Sequence, residues 1–129
     1  MIAEPRSLPA TASAQEAGEV LVPPEVRAVY VVDDGGALVG VVTRKTLVSR
    51  VVAAGRDPRT TTLAEVAEEP HYTIDSELPV EDAFRFLEES DAERVPVVEG
   101  GKLIGVLSRA VLQRRLAEDE DRAEEPPVA

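Results

Sequence analysis

Two segments of this chain end an apolar run in a hydroxyl followed by an arginine: Gly40-Val41-Val42-Thr43-Arg44 and Gly105-Val106-Leu107-Ser108-Arg109. A hydroxyl can both donate to and accept from a ligand oxygen, and a neighbouring guanidinium presents a fork of donors that suits a phosphate. Lys45 and Arg94 add further cations where a phosphate could be met. Other chemistry is poorly equipped. There is no cysteine, so disulfides and thiolate metal sites are excluded, and His71 is the single histidine. No spacing matches a zinc-protease helix or a phosphate-binding glycine loop. Glu81-Asp82 and Glu88-Glu89 fall on the polar face of a helix, where charge is solvated by default. The residues describe a binding protein rather than an enzyme, with no metal site expected.

The two segments belong to an internal repeat. Val29-Tyr30-Val31-Val32 lies 66 positions before Val95-Pro96-Val97-Val98, Ser7-Leu8 lies 66 before Thr73-Ile74, and Ala17 lies 66 before Ala83. Gly40 lies only 65 before Gly105, so one residue is lost between them, in the turn that runs Asp33-Asp34-Gly35-Gly36 in one copy and Glu99-Gly100-Gly101 in the other. Turns accept such length changes most readily. A unit of about 60 residues buries too little surface to be comfortably stable alone, so the two copies must share their stability.

Each copy reads strand, helix, strand, strand, helix. In the second, Tyr72-Thr73-Ile74 is a short strand and Pro79 starts a helix whose Val80, Ala83, Phe84 and Leu87 form one apolar face. Val95 to Val98 and Leu103 to Leu107 form a hairpin, and Val111, Leu112 and Leu116 open the closing helix. In the first copy the elements are a helix over Ser13 to Leu21, a hairpin of Val29–Val32 with Leu38–Val42, and a closing helix marked by Leu47, Val48, Val51 and Val52 and stopped by Gly55. Thr62-Leu63-Ala64-Glu65 has capping-box spacing and predicts a linker helix. These elements divide the chain into a first repeat (1–58), a linker helix with the second repeat (59–117), and a tail (118–129).

Charge is uneven. Residues 1–60 hold seven basic and seven acidic side chains, residues 61–129 seven and eighteen, and the total is −11. Glu118 to Glu125 supply a net −5, and Pro126-Pro127 follow, the composition of a solvated, disordered tail. Such a surface repels phosphate backbones, so nucleic acid is not the expected partner. No apolar run is long enough to span a bilayer and no signal peptide is recognisable, which points to a cytoplasmic protein without membrane attachment.

The repeated strands, with Arg94-Val95-Pro96-Val97-Val98 and Gly105-Val106-Leu107-Ser108-Arg109 the more typical copy, resemble a tandem pair of CBS domains, also called a Bateman module, over residues 5 to 117. The resemblance implies an α+β fold in which two β-α-β-β-α repeats pack sheet to sheet with pseudo-twofold symmetry and leave two clefts. It also implies a regulatory, non-enzymatic module that binds AMP, ADP, ATP or S-adenosylmethionine and signals occupancy to a homodimer or a protein partner. The candidate ligand contacts are Tyr30, Thr43, Arg44 and Thr46 in the first copy. In the second they are Thr73, Arg94, Val95, Pro96, Ser108, Arg109 and Val111. The family carries an acid for the ribose diol three positions after the hydroxyl, and this chain has Thr46 and Val111 there. A hydrogen bond to a charged group is worth about 1.5–3 kcal/mol, so an acid restored at either position is expected to tighten nucleoside binding by about a decade. Thr46 keeps one hydroxyl, which makes the cleft of Thr43, Arg44 and Thr46 the better candidate. The alternative is an interaction scaffold with degenerate clefts that dimerises without nucleotide.

Overall fold

The computed structural model describes residues 5–70, 72–90, 94–110, 114 and 117. Val111, His71, the acidic tail and most of the second closing helix lie outside the described residues.

Two three-stranded sheets repeat one plan. In the first, β1 (Ser7–Pro9) runs parallel to β2 (Val29–Val32), which pairs antiparallel with β3 (Leu38–Val42). In the second, β4 (Ile74–Asp75) runs parallel to β5 (Arg94–Glu99), which pairs antiparallel with β6 (Lys102–Ser108). The 66-residue offset reappears in the pairing: Leu8 partners Val31 and Ile74 partners Val97, and each hairpin shifts register after the equivalent valine. This is the α+β, two-repeat architecture expected of a CBS pair.

Helix α1 (Ala14–Val20) is fixed at its start by a capping box in which the Ser13 side chain accepts from the Glu16 amide and the Glu16 carboxylate accepts from the Ser13 amide. It buries Ala17 and, at its C-cap, Leu21. Their counterparts Ala83 and Leu87 are the buried positions of α4 (Val80–Ser90). The closing helix of the first copy is short: α2 (Arg44–Leu47) passes into a π-helical turn, Val48–Val52, and Gly55 follows at φ 71°. Val51 is buried in that turn, whereas Val48 and Val52 are exposed.

The linker helix forms over Leu63–Val66 (α3), but not by the expected capping box. The Thr62 side chain makes no capping bond, and the Glu65 carboxylate accepts from Arg56 at 3.2 Å instead of reaching back. The first repeat anchors the segment: the Leu63 and Ala64 amides donate to the Ala12 and Ala10 carbonyls, both at 2.9 Å. Leu63 and Val66 are buried in the core formed with Ala14, Ala17, Leu21, Val29, Val31 and Val42. Residues 61–66, grouped by the sequence with the second repeat, thus pack on the first. The second core is smaller and joins Ile74, Ala83, Leu87, Val95, Val97 and Leu107.

The repeats also touch through their hairpin turns. The Leu38 amide donates to the Gly101 carbonyl and the Leu103 amide to the Gly36 carbonyl, each at 3.1 Å. Gly36 and Gly101 are equivalent, and both hold φ 84°, a left-handed conformation that other residues adopt only with strain. The lost residue of the second copy therefore lies before this contact.

Candidate functional site

Strand alternation decides what the sheets show one another. Along β2 it sends Val29 and Val31 into the first core and Tyr30 to the opposite face. Along β5 it sends Val95 and Val97 into the second core and Pro96 to the opposite face. Tyr30 and Pro96, 66 positions apart, line one cavity of about 540 Å³. The first repeat adds Arg27, Ala28, Val41 and Thr43, and the second Tyr72 and Arg94, with Pro70 of the linker between them. The volume lies within the usual range for small-molecule sites, and the mixture of apolar surface, phenols and a few donors is typical of them. Burial pushes the Tyr30 phenol above its ordinary pKa, while the nearby Arg94 guanidinium pulls it the other way.

Four of the residues singled out from the sequence, Tyr30, Thr43, Arg94 and Pro96, therefore come together in one cleft. The others are placed differently. Val95 is fully buried in the second core. Thr73 is exposed just before β4, and Tyr72 beside it is not in a strand. The Tyr72 ring instead meets Phe86 edge to face, with centroids 5.4 Å apart. Ser108, at the end of β6, and Arg109 after it are half-buried and do not line this cavity. Val111 is outside the described residues. Arg44 does not reach the cleft either: its guanidinium donates to the Leu21 carbonyl and, at 2.8 Å, to the Pro23 carbonyl, where α1 ends. The Leu21 carbonyl, at the helix C-cap, has no partner within the helix, which is why a guanidinium in reach is drawn to it; the Pro23 carbonyl also accepts from the Val26 amide at 3.1 Å.

Thr46 has the most consequential surroundings. It is completely buried, and its hydroxyl donates to Glu68 Oε2 at 2.7 Å. A carboxylate only accepts, so the single Thr46 hydroxyl hydrogen is committed, and the same oxygen accepts from the Thr43 amide at 3.0 Å. The two threonine oxygens stand 3.1 Å apart, a contact in which the Thr43 hydroxyl must then be the donor. Thr43 and Thr46 form a reciprocal capping box at the start of α2. Thus an acid is present beside Thr46, but the linker supplies it, 22 residues along the chain, and it serves Thr46 rather than the open cavity.

Two backbone bonds hold Glu68 in place. Its carbonyl accepts from the Val41 amide at 2.8 Å and its amide donates to the Val41 carbonyl at 2.9 Å, extending the first sheet by one residue. The close approach needs Gly40: a Cβ there would stand 2.7 Å from the Ala67 Cβ and 3.3 Å from the Glu68 carbonyl oxygen. Arg50 completes the contact, donating to the Val66 carbonyl at 3.1 Å and lying 3.8 Å from the Glu68 carboxylate.

Sequence reasoning missed Glu68 and Arg27. Neither carries a local signal, since both reach their places through tertiary packing.

A family model for the CBS domain matches residues 1–53 and 63–118. The chain belongs to the CBS-domain family. Its two matched segments make it a CBS pair, a regulatory module by family. Hypoxic response protein 1 of Mycobacterium tuberculosis is 32% identical over 94 residues, which are 73% of this chain and 66% of that protein. The match thus spans just under two thirds of that relative's length. A crystal structure of Hypoxic Response Protein I with two coordinated zinc ions superimposes at TM-score 0.71 with 26% identity, covering 84% of this CBS pair and 88% of that chain. CBSX2 in complex with AMP superimposes at 0.74, with 26% identity over 92% and 94% of the two chains. A putative acetoin utilization protein from Vibrio cholerae superimposes at 0.81, covering 98% and 95%, and at 19% identity supports the fold alone. Among the described residues no group of three or more His, Cys, Asp and Glu converges on a point. No described helix is long and apolar enough to cross a membrane.

Proposed function

We propose that this CBS pair binds an adenine-containing ligand, of the AMP, ADP, ATP or S-adenosylmethionine type, in the cleft between its repeats and passes occupancy to a homodimer or a protein partner. The observation that carries the reading is the shared cavity, with the Tyr30 and Tyr72 rings, Pro96 and Val41 available to a base and Thr43 at its edge. That CBSX2, of the same fold, was solved with AMP supports the choice of adenine. Binding alone is the function in this reading: no catalytic step is assigned, and the module acts in the cytoplasm. Occupancy has a physical route outwards, since Val41 and Pro70 both touch the cavity and flank Glu68, which ties the linker to the helical turn bearing Val48 and Val52.

A second reading has its own observation. Val48 and Val52 are 60% and 73% exposed, and the Thr46 hydroxyl is already committed to Glu68, as suits a scaffold that dimerises without ligand. A thermal-shift panel of AMP, ADP, ATP, S-adenosylmethionine, NAD and guanine nucleotides separates the two. A ligand at about 100 times its Kd stabilises the folded state by about 2.7 kcal/mol. A shift confined to adenine compounds is the expected result. A flat response, with melting that depends on protein concentration, would favour the scaffold.

A further inference from the structure

We propose that the inter-repeat cleft selects a phosphorylated, anionic nucleotide over the uncharged nucleoside and over a cationic sulfonium such as S-adenosylmethionine, and that Arg27 and Arg94 make the selection. This rests on the reading of the cleft given above and narrows the class of ligand it takes.

Among the described residues the cavity lining contains two guanidiniums and no carboxylate. In a chain of net charge −11, with 25 acidic against 14 basic side chains, that is the reverse of the general balance. The use of arginine elsewhere sharpens the contrast. Arg50, Arg56, Arg59 and Arg85 each lie within 4 Å of a carboxylate, and Arg44 is spent on two carbonyls. Among the described residues neither Arg27 nor Arg94 forms an ion pair, and both are exposed at the cavity. The two come from different repeats, one just before β2 and one opening β5, so a ligand between the sheets meets a cation from each side. The field of Arg94 reaches the buried phenol of Tyr30, deep in the same wall.

A phosphate between these groups gains charge-assisted hydrogen bonds that adenosine cannot make, and the Thr43 hydroxyl, turned from Thr46, can add one. A sulfonium meets two like charges instead. The acidic remainder of the surface opposes any anion, but beyond a Debye length of about 8 Å it is largely screened at physiological salt. Each charged hydrogen bond is worth roughly a factor of ten or more in affinity. The preference for AMP over adenosine should therefore be at least tenfold.

The test is titration calorimetry on the full chain with adenosine, AMP, ADP, S-adenosylmethionine and, as an adenine-free probe, inorganic pyrophosphate. AMP or ADP is expected to bind at least about tenfold more tightly than adenosine and S-adenosylmethionine, with affinity falling as salt is raised. Arg27→Gln and Arg94→Gln should each lower the AMP-to-adenosine ratio several-fold while leaving the melting temperature near that of the parent. Because Arg27 is in no described strand, its variant carries the test even if Arg94→Gln perturbs β5. Adenosine or S-adenosylmethionine binding as well as AMP, or a ratio insensitive to both variants, would overturn the inference. If no adenine compound binds but pyrophosphate does, and depends on both arginines, the adenine reading fails and charge selection stands. If neither adenine compounds nor pyrophosphate bind, both fail.

Discussion

Thr46→Asp would set a second carboxylate against Glu68 in a pocket that now holds one hydroxyl. Thr46 is completely buried and donates to Glu68 Oε2 at 2.7 Å. The change removes a hydrogen bond to a charged acceptor, worth about 1.5–3 kcal/mol. It also creates a like-charge pair, and two unit charges at about 4 Å repel by about 4 kcal/mol at an effective dielectric constant near 20. The Glu68 side chain is 39% exposed and Arg50 is 3.8 Å away, so solvent and the guanidinium screen much of that repulsion. A net loss of about 3–4 kcal/mol follows, out of a total stability of about 5–15 kcal/mol for an ordinary domain. In a chain of this size that lowers Tm by roughly 10–20 °C. Circular dichroism melts measure it directly. The deficit should shrink as pH is lowered, because a proton shared by two carboxylates removes the repulsion. Combining the change with Glu68→Gln should recover about half of the loss, and this coupling identifies the partner. A Tm at or above that of the parent near neutral pH, or tighter adenosine binding, would refute the reasoning. The missing-acid argument from sequence alone expects such tightening at this position, whereas the burial of Thr46 against Glu68 leads to the opposite expectation.

Two further outcomes follow from the same geometry. Gly40→Ala would drive a Cβ to 2.7 Å from the Ala67 Cβ, so the linker must lift from β3. The expected cost is about 1–3 kcal/mol, with faster hydrogen exchange at the mutually bonded Val41 and Glu68 amides, and unchanged exchange there would count against the close approach. The Tyr30 phenol is raised by burial, so its neutral form contributes stability that is complete below the ordinary phenol value of about 10 and is lost as pH rises through the higher folded value. In a Tyr72→Phe background, ultraviolet titration should show phenolate appearing at higher pH than in the denatured chain, and Arg94→Gln should move it higher still. Coincident curves would mean that Tyr30 is solvated.

The strands were the most legible part of the fold. Val29–Val32 and Leu38–Val42 are apolar runs separated by the turn glycines Gly35 and Gly36, and the structure has those bounds. Helix α4 followed from Val80, Ala83, Phe84 and Leu87, whose spacing can serve only a helical face. The Thr62 capping box failed because its Glu65 found Arg56, a tertiary partner that spacing does not reveal. The same limit applies to the site. Tyr30 and Pro96 hold equivalent positions on equivalent strands, and Thr43 and Arg94 stand out as a hydroxyl and a cation suited to a phosphate; the cavity is lined by all four. Glu68 lies 22 residues from Thr46, on a linker without periodicity, and Arg44 looked available only because the carbonyl ends of α1 are invisible in a list of side chains.

The reciprocal bonds between Gly36, Leu38, Gly101 and Leu103 are a backbone contact that knows nothing of side chains, and two separate copies of one repeat could make it equally well. Such a homodimer would have to place each residue on both sides of its axis. Joining the copies in one chain lifts that duty: Tyr30 shares the cavity with Pro96, and Ala28 shares it with Arg94. The main chain stays symmetric while the cavity does not, so a ligand entering it has one way round to lie rather than two.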